Sequence, residues 1–414
     1  GPRLLSGGAK TERVLAAAPW GGMLILFFVH FTVDGMMNFF APLIPLLREK
    51  LHFTLTTAGI LISIQSFSAA ISQPLTALLV DRWPAMPWLP VGIIGGAIAF
   101  TAIGWVPVFW GVALAIPLGG ILCGLCHPDM AARAGRLSEA HNSLSISVFV
   151  TGGRLGFALG PLIAIAVAKH LGMEWLWLYV FVAILAMALV VRGLPKPPPR
   201  EKRADGGSLR AELRGVRGPI ALLFAVAVVR AIIMGNIGGY LPTLFVDQGL
   251  GLWRGGIANS MIFFSGAFGV MLGGYLGDRI GKRVTIMIGM VIALAGMVAF
   301  LSFPLAYAYW SLAVIGFGNF LPMGVSVALA QEFLPAHRGF ASSLTLGGGW
   351  FIASFTSFPI AAAAERFGLL QVFWVLPVAL AIGIAFAFFL PKGGRLGPVG
   401  PAGPAEEIAS PGRS

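Results

Sequence analysis

Charge is scarce in this chain. Asp, Glu, Lys and Arg make up 11% of its 414 residues, where a soluble globular protein carries about 25%. A surface with so little charge does not stay in water, which excludes a cytosolic enzyme. Cysteine is nearly missing, and two residues, Cys123 and Cys126, cannot build a disulfide framework. Disorder is excluded from the other direction, because low charge joined to high hydrophobicity is the reverse of its signature. Apolar residues fill the sequence instead: 57% of it is hydrophobic, and the mean hydropathy is +0.87. Glycine, at 56 residues, is about twice the roughly 7% background and shows no collagen repeat. In lipid, small residues let helix backbones approach closely. The composition is that of an integral membrane protein.

A transmembrane helix needs about 20 mostly apolar residues. Twelve such runs occur, near 20–47, 54–80, 88–105, 107–130, 142–168, 174–192, 219–245, 256–277, 284–303, 305–330, 340–364 and 369–390. They are too long for the alternating strands, about ten residues each, of an outer-membrane barrel. The expected organisation is a tail over 1–19, a six-helix bundle over 20–193, a Pro-rich basic linker over 194–218, a second six-helix bundle over 219–390, and a disordered tail over 391–414. The net charge of +12 has a topological cause, so no nucleic-acid partner is expected. With the N-terminus in the cytoplasm, the outward loops hold only Arg48, Lys50, Lys169, Arg254 and Arg366. Every other Lys and Arg falls in inward loops and tails, apart from Arg154 and Arg230. That bias puts both termini in the cytoplasm of a multi-pass inner-membrane protein.

The two bundles echo one another. Pro45 and Pro242 lie 197 positions apart, as do Asp81-Arg82 and Asp278-Arg279, and Pro161 and Pro359 match at 198. Two parallel six-helix repeats around a central site are the architecture of major facilitator transporters. The fold expected is therefore an all-α membrane protein of twelve helices in two six-helix pseudo-repeats.

Between the eighth and ninth runs, Gly274-Tyr-Leu-Gly-Asp278-Arg279-Ile-Gly281-Lys282-Arg283 matches the major facilitator loop pattern at each defined position. Glycine permits tight helix approach, and Asp can face a helix N-terminus and the basic cluster. The first-half copy keeps Asp81-Arg82 but has Ala77 for the leading glycine and lacks the Gly-basic end. We assign these residues to gating. In the fifth run, Gly156-x-x-x-Gly160-Pro161 resembles the start of the antiporter motif of major facilitator exporters, without its trailing glycines. Ordinary packing is the plainer reading of the same residues.

Charges inside the membrane cost several kcal/mol unless paired or hydrated (about 2.5–3.5 at a helix centre on insertion scales). His30, Asp34 and Asn38 recur every four residues in the first run and share one helix face. That stripe belongs toward an aqueous cavity. Asp34 is the candidate proton carrier, with His30 and His127 beside it in the coupling set. Arg154 in the fifth run and Arg230 in the seventh are candidate substrate contacts, since two cations against one Asp favour an anionic or zwitterionic ligand. Asn38, Gln65 and Trp350 complete the expected substrate set. One Arg paired structurally with Asp34 is the alternative. Cys123-x-x-Cys126-His127 spells the haem c attachment motif, but it sits in an apolar helix near the cytoplasmic end, beyond reach of that chemistry. No cofactor and no metal are expected.

A closer resemblance rests on several segments: His30-x-x-x-Asp34, Pro45-Leu-Leu, Gln73-Pro74, Asp81-Arg82-Trp83-Pro84 with Met86-Pro87-Trp88, His127-Pro128, Gly152-Gly153 through Gly160-Pro161, and Gln331-Glu332-x-Leu-Pro335. Together they resemble the fosmidomycin-resistance family of bacterial major facilitator exporters, from about residue 30 to 340. The resemblance implies a proton-driven exporter of the inner membrane whose namesake drug is an anionic phosphonate. Arg154 departs from that pattern, where a neutral polar residue is usual. The expected partners are a small-molecule substrate, protons and the lipid bilayer, with the chain acting as a monomer. Uptake of a carboxylate by symport uses the same fold and is the alternative. A membrane-embedded enzyme or sensor is the rival class, and the sequence holds neither a catalytic constellation nor a signalling domain for it.

Overall fold

Proline decides where the first apolar run bends. Pro42 lacks an N–H, and its ring collides with the carbonyl four residues back. In the computed structural model, which describes residues 20–82, 87–137, 142–194, 209–335 and 337–391, that run is accordingly two helices, α1 (Trp20–Met37) and α2 (Phe40–Leu51). The remaining first-half helices are α3 (Leu55–Arg82), α4 (Trp88–Ala102), α5 (Phe109–Arg136), α6 (Asn142–His170) and α7 (Tyr179–Gly193). The second half comprises α8 (Leu209–Asp247), α9 (Leu252–Ile280), α10 (Lys282–Ser302), α11 (Ala308–Phe320), α12 (Pro322–Phe333), α13 (Phe340–Phe367) and α14 (Leu369–Phe388). Pro322 breaks the tenth run as Pro42 breaks the first. Eleven spans are long and apolar enough to cross a membrane, and the shorter α4 makes the twelfth. No strand occurs among the described residues.

Helix α8 begins at Leu209, inside the segment expected as linker. That extra length is amphipathic: Val216 is buried, Leu213 packs on the core, and Glu212 meets His337 at 2.5 Å. The expected tails 1–19 and 392–414, linker residues 195–208, and the loop 83–86 lie outside the described residues.

Lipid tails are as apolar as leucine, so burial alone does not drive helices together in a bilayer; close packing and hydrogen bonds do. The most extensive such contact joins α1 to α6. Gly152, Gly156 and Gly160 fall one turn apart, and a methyl on each would collide in turn with the carbonyls of Phe27, Phe31 and Gly35. The second half repeats the device: Gly349, 197 positions after Gly152, rides on the Ala227 carbonyl. The twelve helices therefore assemble as two six-helix pseudo-repeats.

We call the side carrying Trp20 and Pro391 the terminal side, and the opposite one the far side. The halves are tied on the far side. Glu365 on α13 accepts hydrogen bonds from the Thr56 backbone N–H at 2.8 Å and the Thr56 hydroxyl at 2.6 Å, at the start of α3. The Phe358 N–H donates to Ser63 Oγ at 3.2 Å, and Ser260 of α9 donates to the Ala158 carbonyl of α6. The ion pairs described toward the terminal side, Arg133–Asp129, Lys282–Glu332 and His337–Glu212, each stay within one half. Trp105, Trp110, Trp175, Trp177, Trp253 and Trp310 stand exposed around the far-side helix ends. That is the position of an interfacial aromatic belt.

The α1–α6 contact yields a stability test. Gly156→Leu should lower stability by about 1–3 kcal/mol, the scale of overpacking a tight contact, whereas Gly274→Ala, which has open space around it, should leave melting unchanged. Thermal unfolding of the solubilised protein, followed by tryptophan fluorescence, reads both. Equal melting of the two variants would mean that the contact does not hold the fold.

Candidate functional site

The stripe on α1 is brought into one buried cluster. His30, Asp34 and Asn38 are each less than a tenth exposed, and α5 adds His127. Asp34 Oδ1 lies 3.0 Å from His127 Nε2, and Asp34 Oδ2 lies 3.3 Å from His30 Nε2. The far nitrogens of both rings face backbone carbonyls: His30 Nδ1 is 2.8 Å from the Phe149 oxygen, and His127 Nδ1 is 2.7 Å from that of Cys123. A carbonyl only accepts, so each Nδ1 carries a hydrogen and donates it. His30 also stacks on the Phe149 ring at 4.0 Å. His127 is the more exposed of the two rings, at 19% of its side chain. Gly153 lets α6 close over the group, because a methyl there would collide with Asp34 and His30.

The same three residues offer metal-ligand atoms that all lie within 4.8 Å of one another.

Across the interface, the arginines find neutral partners. Arg154 Nη2 lies 3.0 Å from the Met323 sulfur, and its guanidinium sits 4.8 Å over the Phe320 ring, so a first-half cation rests on the second half. Arg230 is buried, and its Nε donates to the Asn319 carbonyl at 2.6 Å, beside the α11–α12 break. The two like charges act on one another. Asp34 acts on Arg154 through space but pairs with neither arginine. The alternative of one Arg paired structurally with Asp34 is thus not the arrangement found: the histidines lie against both carboxylate oxygens.

The other expected site residues separate. Asn38 donates to the Phe157 carbonyl at 2.9 Å, bracing α1 against α6, and Gln65 donates to the Met37 carbonyl at 2.6 Å, at the α1–α2 break. Trp350 is half-buried against the core. Gly156, Gly160 and Pro161 belong to the α1–α6 contact and to the helix continuing from it. In the second-half gating motif, Arg279 lies over the Tyr275 ring at 5.1 Å, Arg283 over Phe388 at 4.9 Å, and Lys282 bonds Glu332 at 2.6 Å. Asp278 is exposed, and Gly274 and Gly281 have open space around them. Asp81 and Arg82 end α3, and their side chains lie outside the described residues.

Sequence reasoning missed Met323, Phe320 and Glu365. An apolar Met or Phe among many carries no signal. Glu365 did carry one, as a carboxylate at the end of an alanine-rich turn.

Residues 26–357 match the family model described as Major Facilitator Superfamily. This chain belongs to that superfamily. It is a multi-pass membrane transporter by family, and it is 25% identical over 358 residues to the fosmidomycin resistance protein of Escherichia coli (strain K12), covering 82% of this chain and 85% of that one. It is also 23% identical to the multi-drug resistance efflux pump PmrA of Streptococcus pneumoniae, over 87% and 94% of the two chains. Among solved structures, a D-xylose–proton symporter superposes with a TM-score of 0.73 at 15% identity, over 90% of this chain and 98% of that one. A bacterial homologue of the human lysosomal transporter Spinster, in an inward-facing and unoccupied conformation, superposes with a TM-score of 0.71 at 16% identity, over 90% and 96%. These superpositions show the shared fold.

The gating motif can be tested without knowing the substrate's details. Asp278 makes no hydrogen bond or ion pair among the described residues in this conformation, so Asp278→Asn should leave melting unchanged. It should cut transport several-fold in vesicles, the result expected of a gating role. Full transport by a well-folded variant would reduce the motif to a topology signal.

Proposed function

We propose that this protein exports a small anionic or zwitterionic compound across the bacterial inner membrane in exchange for protons, by rocking of its two halves around a central site. One observation carries this reading. Two guanidiniums, one from each half, stand without a carboxylate partner among the described residues where the halves meet, beside a buried carboxylate that belongs to one half alone. A guanidinium stays charged throughout the physiological range. Two of them left with a thioether, a ring face and one backbone carbonyl are therefore set up for an anion. Asp34 is the proton carrier: protonation changes its charge next to Arg154, and so changes the field at the anion site. The relatives named for fosmidomycin resistance and for drug efflux support the outward direction. The ties on the far side support a conformation open toward the terminal side, the side given to the cytoplasm by the distribution of Lys and Arg.

Fosmidomycin, an anionic phosphonate, is the first probe. Arg230→Ala and Arg154→Ala should each weaken its binding by roughly 1.5–3 kcal/mol, the scale of a hydrogen bond to a charged group, and Lys at either position should recover only part of that. Isothermal titration of the purified protein measures it. If both alanine variants bind the phosphonate as tightly as the parent, the anion site is wrong.

Coupling has its own assay. Asp34→Asn should abolish substrate accumulation driven by a pH gradient in inverted vesicles while preserving exchange at equal pH. Accumulation that survives the substitution would place the proton site elsewhere.

A further inference from the structure

The two histidines that flank Asp34 have each committed one nitrogen elsewhere. His30 Nδ1 donates to the Phe149 carbonyl at 2.8 Å, and His127 Nδ1 donates to that of Cys123 at 2.7 Å. In a neutral ring the lone pair therefore sits on Nε2, and both Nε2 atoms are turned toward one carboxylate. The His127 contact, at 3.0 Å, is a hydrogen bond. The His30 contact, at 3.3 Å, is longer than the roughly 2.7–3.2 Å of an ordinary N–H···O bond. It matches a different length. Ligands on a tetrahedral zinc ion, each about 2.0–2.1 Å from the metal, stand about 3.3–3.4 Å apart.

We propose that His30 Nε2, His127 Nε2 and an Asp34 carboxylate oxygen bind one divalent transition-metal ion of the zinc type. Their ligand atoms all lie within 4.8 Å of one another, so a small side-chain adjustment closes them on an ion. Two imidazoles and a carboxylate suit zinc, nickel or copper, whereas magnesium and calcium prefer oxygen alone. The outer shell is in place as well. A metal-binding histidine characteristically donates its other N–H to a carbonyl or carboxylate, which fixes tautomer and orientation, and both rings do so here. Stacking on Phe149 at 4.0 Å holds His30 further. No spacing in the sequence announces the site, because His30 and Asp34 share α1 while His127 comes from α5.

Three protein ligands leave the fourth position to water. The neighbouring thiol of Cys126 is turned away, toward the Cys123 carbonyl at 3.1 Å, so the donor set is nitrogen and oxygen. The facing cation, Arg154, rests on Met323 and Phe320 rather than on Asp34, which leaves the carboxylate free for an ion. His127, with 19% of its side chain exposed, is the way in. A bound metal takes the place of the proton in the His127–Asp34 hydrogen bond and ties α1 to α5. It is thereby a blocker of the cluster, and its binding does not depend on the coupling reading above.

Zinc chloride titrated calorimetrically into tag-free full-length protein in nanodiscs tests this. The parent should bind one ion per chain at a saturable site. Affinity should fall more than about tenfold in His30→Gln and in His127→Gln, since losing even an outer-shell partner costs about 10–100-fold. His337→Gln, whose ring pairs with Glu212, should leave that site unchanged. Cobalt(II) in place of zinc should give the absorption of a four-coordinate ion without a thiolate charge-transfer band. Should a glutamine variant fail to fold, X-ray absorption of the zinc-loaded parent carries the test, with two imidazoles and no sulfur around the metal. No saturable site in the parent, undiminished affinity in both folded glutamine variants, or sulfur ligation overturns the proposal. Each readout is made without transport, so failure here is distinct from failure of Asp34→Asn to abolish accumulation.

Discussion

The close approach of α1 to α6 is the constraint on which the rest depends. Three glycines one turn apart remove every side chain that would hold the helices apart, and the carbonyls of Phe27, Phe31 and Gly35 come down onto bare backbone. That spacing places Gly153 against Asp34 and His30, brings the Phe149 carbonyl within reach of His30, and brings that of Phe157 within reach of Asn38. The polar stripe on α1 is thereby sealed from lipid without being filled by hydrocarbon. A packing device and a chemical site are here the same set of residues.

Charge is divided unequally between the halves. The first half owns the carboxylate and both imidazoles, while each half supplies one arginine. Neither arginine is locked in an ion pair among the described residues, which matters for a carrier whose halves must part. A buried salt bridge across the interface would lose several kcal/mol on breaking. A guanidinium seated on a thioether and an aromatic face has partners of the order of 1 kcal/mol and can leave them. The far-side ties are of the same modest kind: two hydrogen bonds to Glu365 and one to Ser63 lie exposed to solvent, and only that from Ser260 to the Ala158 carbonyl is buried.

Much of this was legible in the residues themselves. The twelve runs, the doubled pattern and the shared face of His30, Asp34 and Asn38 follow from hydropathy and helical period, which act locally. The break at Asn38 follows from Pro42 by an equally local rule, although the hydropathy of the run never falls across it. The partner of Asp34 was not legible. The choice between an arginine and two histidines depends on how far α5 and α6 rotate about their axes, and no sequence spacing across a loop fixes that angle. The extension of α8 into the basic segment was hidden for a similar reason: its charges spell solvent, while Val216 and Leu213 find the core only once the neighbouring helices are in place.

Most of the exposed tryptophans gather around the far-side ends of the helices, while Trp20 stands exposed at the terminal side. Indole rings hold their depth at the boundary between headgroups and acyl chains, so the far-side leaflet anchors the molecule more firmly than the other. A thicker or thinner bilayer must then be met at the other leaflet, by tilt or local deformation costing fractions of a kcal/mol per ångström. That is the face where the described ion pairs do not join the two halves. Membrane thickness therefore loads the terminal side more than the far side, and lipid chain length bears on how the two halves sit there.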